Sequence, residues 1–243
     1  MSPIRAIVFD VYATLFHNEQ DLWHETFVRI VREQRLAIQP FGFYTRWRAH
    51  ERGFRQRRVN LKTLEQVQPF ETYEQAWRDC FVKVFAETGL PGDPQRAVER
   101  CLEGQATREL YPDTLPMFEA LAGRYKLAVL SNADAGYLKT LLERDGIYRQ
   151  LNAVLSSEEA REYKPCPGPF REVLRRLAVD ADEALYVGDT LLDDVLGAKN
   201  VGMRAAWLNR ARAAADPGMP TPDATISGLG LLPFVLRDGV LGG

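Results

Sequence analysis

Five short apolar runs, Ile4–Phe9, Lys126–Leu130, Ala153–Leu155, Ala184–Val187 and Arg204–Leu208, recur along the chain with helical-period segments between most of them. This alternation restricts the fold more than any other feature. Runs too short and too uniformly apolar to be one-faced strands need cover on both sides, and the intervening helices supply it in a parallel α/β sheet. Such sheets bind ligands beyond the carboxyl ends of their strands, so the residues just after each run are the ones to weigh for chemistry.

The interval from His17 to Ala106 breaks the alternation. It holds no comparable strand run and predicts helices at Leu22–Gln34, Tyr44–Arg57, Tyr73–Glu87 and Pro94–Leu102, with Asp93 as N-cap and Pro94 in the first turn of the last. Inserted directly after the first strand, such a segment sits over that strand's carboxyl end, where it can close a pocket and select substrates. Its aromatic residues Trp23, Phe27, Phe43, Tyr44 and Trp47 fall at helical spacing and read mainly as core. The tail after Asn209, with Pro217, Pro220 and Pro222, reads as a loop before a short apolar finish.

Thirty-one Lys plus Arg against 33 Asp plus Glu give a net charge of -2, so no global field favours nucleic acid or an anionic membrane. An anionic ligand must be held locally. Three widely spaced cysteines, Cys80, Cys101 and Cys166, with no CxxC pair, suit a reducing compartment and neither a disulfide framework nor a zinc site. With no signal-peptide pattern and no long apolar run, a cytoplasmic protein acting on a small molecule is expected, as a monomer or homodimer.

Four sites follow successive runs. Asp10, in Phe9-Asp10-Val11-Tyr12-Ala13-Thr14-Leu15, reads alone either as a nucleophilic carboxylate or as an ordinary turn residue. Ser131, in Leu130-Ser131-Asn132-Ala133-Asp134, reads as an oxyanion donor or as part of a helix N-cap. Lys164, before Pro165, is a solvated loop lysine unless it stands beside the carboxylate, where its charge would keep that group ionised. Gly188-Asp189-Thr190-Leu191-Leu192-Asp193-Asp194 offers oxygen ligands for a hard cation, or merely acids at a helix N-terminus. Adjacent helix positions point about 100° apart, so one of Asp193 and Asp194 is expected to face the pocket.

Taken together, in this order and at these strand ends, the four motifs resemble the haloacid dehalogenase superfamily over residues 4 to about 209. The resemblance implies a doubly wound, Rossmann-like parallel sheet made of residues 1–16 and 107–243, with a smaller all-helical cap at 17–106. It implies that Asp10 attacks the substrate to form a covalent aspartyl intermediate. Tyr12, Thr14, Ser131, Asn132 and Lys164 complete the implied catalytic set, and Asp10, Tyr12, Asp189, Asp193 and Asp194 are the implied magnesium ligands.

The branch within the superfamily is mixed. Phosphatase members carry a second aspartate, the leaving-group acid, where this chain has Tyr12, and usually glycine where it has Ala13. Tyrosine at that place resembles the 2-haloacid dehalogenases, as does Trp47-Arg48, whose arginine contacts the halide there; Arg48 also reads as one of six solvated arginines between Arg46 and Arg58. Gly188-Asp189 is instead the magnesium-binding, phosphatase-like version. The expectation is therefore a magnesium-dependent phosphatase of a small metabolite, with a metal-free 2-haloacid dehalogenase and a weakly active binding protein as alternatives.

Overall fold

The computed structural model describes residues 2–237. Its strands are β1 (Ala6–Phe9), β2 (Val59–Asn60), β3 (Glu65–Gln66), β4 (Lys126–Ser131), β5 (Ala153–Ser156), β6 (Ala184–Gly188), β7 (Arg204–Leu208) and β8 (Ala224–Ile226). Six of them form one parallel sheet in the order β5-β4-β1-β6-β7-β8. The parallel α/β sheet expected from the alternating runs is therefore present, in the doubly wound form that the resemblance implied.

Every residue of β1 and β6 is buried, as a central parallel strand requires. Alternate residues supply separate cores: Ile7, Phe9, Leu127 and Val129 pack on one face, and Ala6, Val8, Ala128 and Leu130 on the other. Helices α5 (Thr114–Leu121) and α6 (Ala135–Arg144) lie after the insertion and after β4, while α7 (Ser157–Ala160) and α8 (Pro167–Leu177) follow β5.

Between β1 and α5 come α1 (Gln20–Glu33), α2 (Pro40–Arg57), α3 (Tyr73–Thr88) and α4 (Pro94–Ala106). The starts have local causes. Pro40 opens α2, the Thr72 hydroxyl accepts from Gln75 N in a capping box on α3, and Asp93 accepts from Gln95 N and Arg96 N on α4. Phe27, Phe43, Trp47 and Phe81 form their own core, with ring centroids 5.3 to 5.9 Å apart. Tyr163 and Cys166 join it from the loop between α7 and α8, so the insertion packs on the segment that carries Lys164.

Two details depart from expectation. The insertion is not wholly helical, because Val59–Asn60 and Glu65–Gln66 pair as a small antiparallel ladder too short for a periodicity signal. The tail contains a sixth sheet strand, β8, whose three residues continue the sheet beside β7 where a loop was expected. Cys80, Cys101 and Cys166 are buried free thiols. No helix among the described residues is long and apolar enough to cross a membrane.

Candidate active site

Because β1 lies between β4 and β6, the residues after all three strands converge at the centre of the sheet. Asp10 follows β1 and donates its N–H to Val187 of β6 at 2.9 Å, which fixes its backbone. Ser131 ends β4 and donates its hydroxyl to Asp10 Oδ1 at 3.0 Å. Lys164, 2% exposed, donates from Nζ to Asp10 Oδ1 at 2.7 Å, to Asp194 Oδ1 at 2.6 Å and to the Tyr186 hydroxyl at 2.8 Å. All three ammonium donors are thereby used, which a buried cation needs. The Lys164–Pro165 peptide is cis.

Asp194 reaches this cluster through an unusual segment. Leu191–Leu196 winds as a π-helix, and Asp194 Oδ2 accepts from Thr190 N at 2.9 Å and Thr190 Oγ1 at 2.7 Å. Gly188 makes the approach possible, since a Cβ there would lie 2.4 Å from Asp194 Cγ. Asp193 points elsewhere: its Oδ2 accepts from Arg58 at 2.8 Å and from Asn132 Nδ2 at 3.2 Å. Asp194 is the one that joins Asp10, but Asp193 also lines the cavity above the cluster; the expectation of a single pocket-facing acid assumed α-helical spacing, and the segment winds as a π-helix instead.

Oxygen atoms of Asp10, Asp189 and Asp194 all lie within 4.8 Å of one another. Burial raises the Asp10 carboxyl above its ordinary value, Lys164 pulls it down, and the Asp194 charge pushes it up again. Asp189 is raised well above the carboxylate range by burial and then by Asp194 and Asp10, and no side-chain donor among the described residues reaches it. Three carboxylates and one lysine leave a local charge deficit of two. A divalent oxygen-seeking cation matches that deficit and donor set.

A cavity of about 300 Å³ opens over this cluster. Asp10, Tyr12, Ser131, Asn132, Lys164, Asp189, Asp193 and Asp194 line it from the sheet side, and Trp23, Tyr44, Arg48 and Arg55 from the insertion. Thr14 does not line it: it is fully buried, and its hydroxyl has no hydrogen-bond partner among the described residues. The Tyr12 phenol faces the Gln105 carbonyl oxygen at 3.5 Å, and burial raises it well above its ordinary value. Ala13, where glycine was the usual residue, has φ +62, a left-handed conformation that costs a non-glycine residue about 1 kcal/mol. Trp23 and Tyr44, expected in the core of the insertion, also contribute to the cavity wall.

The second motif does double service. Asn132 exchanges hydrogen bonds with the Lys164 backbone, accepting from its N–H at 2.9 Å and donating to its carbonyl at 3.2 Å. Asp134 precedes α6, yet its carboxylate does not cap that helix; it accepts from Tyr73 N at 2.7 Å and Glu74 N at 2.8 Å, capping α3 of the insertion instead. Tyr186, Arg55 and Arg58 are site residues the sequence reading missed. Tyr186 sits inside an apolar strand and carries no polar pattern, whereas the arginines were masked by their neighbours.

A parallel sheet with an aspartate directly after a central strand, a buried lysine held between carboxylates and an inserted, mainly helical layer over the strand ends is an arrangement that defines a class of hydrolases with an α/β core. The haloacid dehalogenase-like hydrolase family profile matches residues 4–202, and the chain belongs to that family. The (S)-2-haloacid dehalogenase 2 of Pseudomonas sp. (strain CBS-3) is 27% identical over 241 residues, 98% of this chain and 97% of its own. The phosphoserine phosphatase of Thermus thermophilus is 32% identical over 161 residues, 63% of this chain and 64% of its own. The crystal structure of 2-haloacid dehalogenase from Pseudomonas syringae pv. Tomato DC3000 matches with a TM-score of 0.70 at 29% identity, covering 96% of this chain and 98% of that one. Relatives thus include both dehalogenases and phosphatases.

Proposed function

We propose that this hydrolase is a magnesium-dependent phosphatase of a small phosphorylated metabolite, with residues 17–106 acting as its cap. The observation that carries this reading is the Asp10–Asp189–Asp194 cluster, where burial first and then repulsion from Asp194 and Asp10 leave Asp189 unable to ionise readily without a cation. Asp10, Asp189 and Asp194 would hold magnesium, which when bound supplies charge neutralisation for a phosphoryl oxygen. Tyr12 could add only its backbone carbonyl, because a phenol this reluctant to ionise is a poor ligand. Asp193, whose Oδ2 accepts from Arg58 and Asn132, is not among the carboxylates whose oxygens come together and is left out of the ligand set.

With Oδ1 held by Ser131 and Lys164, Asp10 Oδ2 attacks phosphorus, the P–O bond to the substrate alcohol breaks, and water later cleaves the aspartyl phosphate. Lys164 and the Ser131 hydroxyl keep the carboxylate oriented and offset charge on the transferring group. The leaving alkoxide meets a Tyr12 phenol in place of a carboxylic acid. Losing a matched general acid typically costs on the order of 10²–10⁴ in rate, so esters of acidic alcohols should turn over best.

Arg48 on the cavity wall favours the second reading, halide displacement from a 2-haloacid by Asp10. One preparation tests both. Release of p-nitrophenol from p-nitrophenyl phosphate that needs magnesium and stops with EDTA is the expected result; halide release from 2-chloropropionate that ignores EDTA would replace the phosphatase reading with the dehalogenase one.

A further inference from the structure

One group in the cavity wall is not used by the chemistry at Asp10. Arg48, Glu51 and Arg55 fall on one face of α2 at i, i+3 and i+7. Glu51 is fully buried, and its two carboxylate oxygens each take one guanidinium, Oε2 from Arg48 and Oε1 from Arg55. Burying a carboxylate is costly unless it is paired in this way, so the glutamate serves to hold two arginines side by side.

Those arginines are not fully spent on Glu51. Their side chains remain 40% and 37% exposed, both line the cavity, and neither makes another hydrogen bond among the described residues. Arg55 is further steadied against the Tyr73 ring, 5.4 Å from its centroid. Two guanidinia and one carboxylate leave one positive charge with free N–H donors, in a cavity whose other wall carries Asp10, Ser131 and Lys164.

We propose that Arg48, Glu51 and Arg55 form a second anion subsite, which takes the carboxylate of a small phosphorylated carboxylic acid while its phosphoryl group lies at Asp10. The single residual charge matches a carboxylate better than a phosphate dianion. Planar guanidinia suit the planar carboxylate, and about 300 Å³ suits a compact molecule spanning both walls. This inference rests on the phosphatase reading for the second end of the substrate, and Glu51 enters as a positioning residue.

The test compares two esters differing only in the group at issue, 3-(phosphonooxy)propanoate and propyl phosphate, on the full chain with magnesium. The expected kcat/KM ratio is about tenfold or more in favour of the carboxylated ester, expressed mainly in KM, as one or two charge-assisted hydrogen bonds would give. Arg55→Gln and Arg48→Gln should each pull that ratio toward one, and Arg55→Lys should restore part of it. Equal kcat/KM in the unaltered protein, or a ratio that survives both substitutions together, overturns the subsite. Calorimetric binding of 3-phosphonopropionate and propylphosphonate separates the two readings. If neither ester turns over but the carboxylated phosphonate binds about tenfold tighter in an Arg55-dependent way, the phosphatase reading fails and the subsite stands. Equal affinities of the two phosphonates overturn the subsite whatever turns over.

Discussion

The two walls of the cavity are built on opposite principles. On the sheet side, polar groups at the strand ends and in the loop after α7 are buried and locked: Lys164 is 2% exposed and spends every donor on Asp10, Asp194 and Tyr186. On the insertion side, long half-exposed arginines are carried by a helix whose position depends on stacked aromatic rings. Buried groups with every hydrogen bond made fix reacting atoms to within the tolerance chemistry demands, whereas half-exposed groups on a separately packed layer can change with the substrate. Under the proposed function, the difference would separate what the sheet wall does to a substrate from which substrate the insertion wall accepts.

Substitutions on the two walls should therefore fail differently. Asp10→Asn exchanges one oxygen for an amide of similar size, leaving Lys164 paired with Asp194 and Tyr186. Turnover is expected to fall by about 10⁴ or more while thermal unfolding moves little, and retained turnover would remove the covalent step. Phe27→Ala strikes the other wall. Phe27 is fully buried against Phe43, Tyr44, Trp47 and Phe81, so the expected cost is about 3–5 kcal/mol. Trp23, Trp47 and Trp77 of the chain's four tryptophans report on that core. If the insertion packs as its own unit, tryptophan emission should change at lower denaturant than far-ultraviolet circular dichroism in this variant; coincident transitions would show one cooperative body and erase the contrast.

The same contrast governs how much of the molecule was legible in its sequence. Asp10, Ser131, Lys164 and Asp189 could be found because each follows an apolar run, and a parallel sheet gathers the residues at that place. The choice between Asp193 and Asp194 could be narrowed only to one of the two, because it is decided by Gly188, whose missing Cβ leaves room for the Asp194 carboxylate. Tyr186 was hidden because a tyrosine within a buried strand looks like any other apolar residue, and its hydroxyl is visible as a lysine partner only in three dimensions. Arg55 and Arg58 were hidden by abundance: in a helix rich in arginine, periodicity does not distinguish the one over Glu51 or the one reaching Asp193 from solvated neighbours. Helix existence was legible from spacing, but the two-residue ladder and β8 are held by tertiary pairing and leave no local pattern.

Asp134 ties the two walls together and gives the smallest expected effect. Its carboxylate, on the segment after β4, caps α3 of the insertion while its pKa is pushed up to about 6 from an ordinary 3.8, chiefly by burial, with the Tyr73 and Glu74 N–H groups opposing and Glu158 and Glu74 adding to the rise. Between those two pH values the folded chain holds the proton more tightly than the unfolded chain. The group's contribution is therefore fully present below about pH 4 and is lost as pH rises through about 6. Asp134→Asn cannot ionise and keeps one acceptor oxygen, so it should lose one capping bond, about 1 kcal/mol, together with this pH dependence. The Tm deficit of the variant relative to the unaltered protein should accordingly be larger at pH 4.5 than at pH 7.5. A deficit that grows toward pH 7.5 would mean that the carboxylate holds α3 better charged than neutral, and that the joint between the walls is electrostatic, with burial the lesser influence.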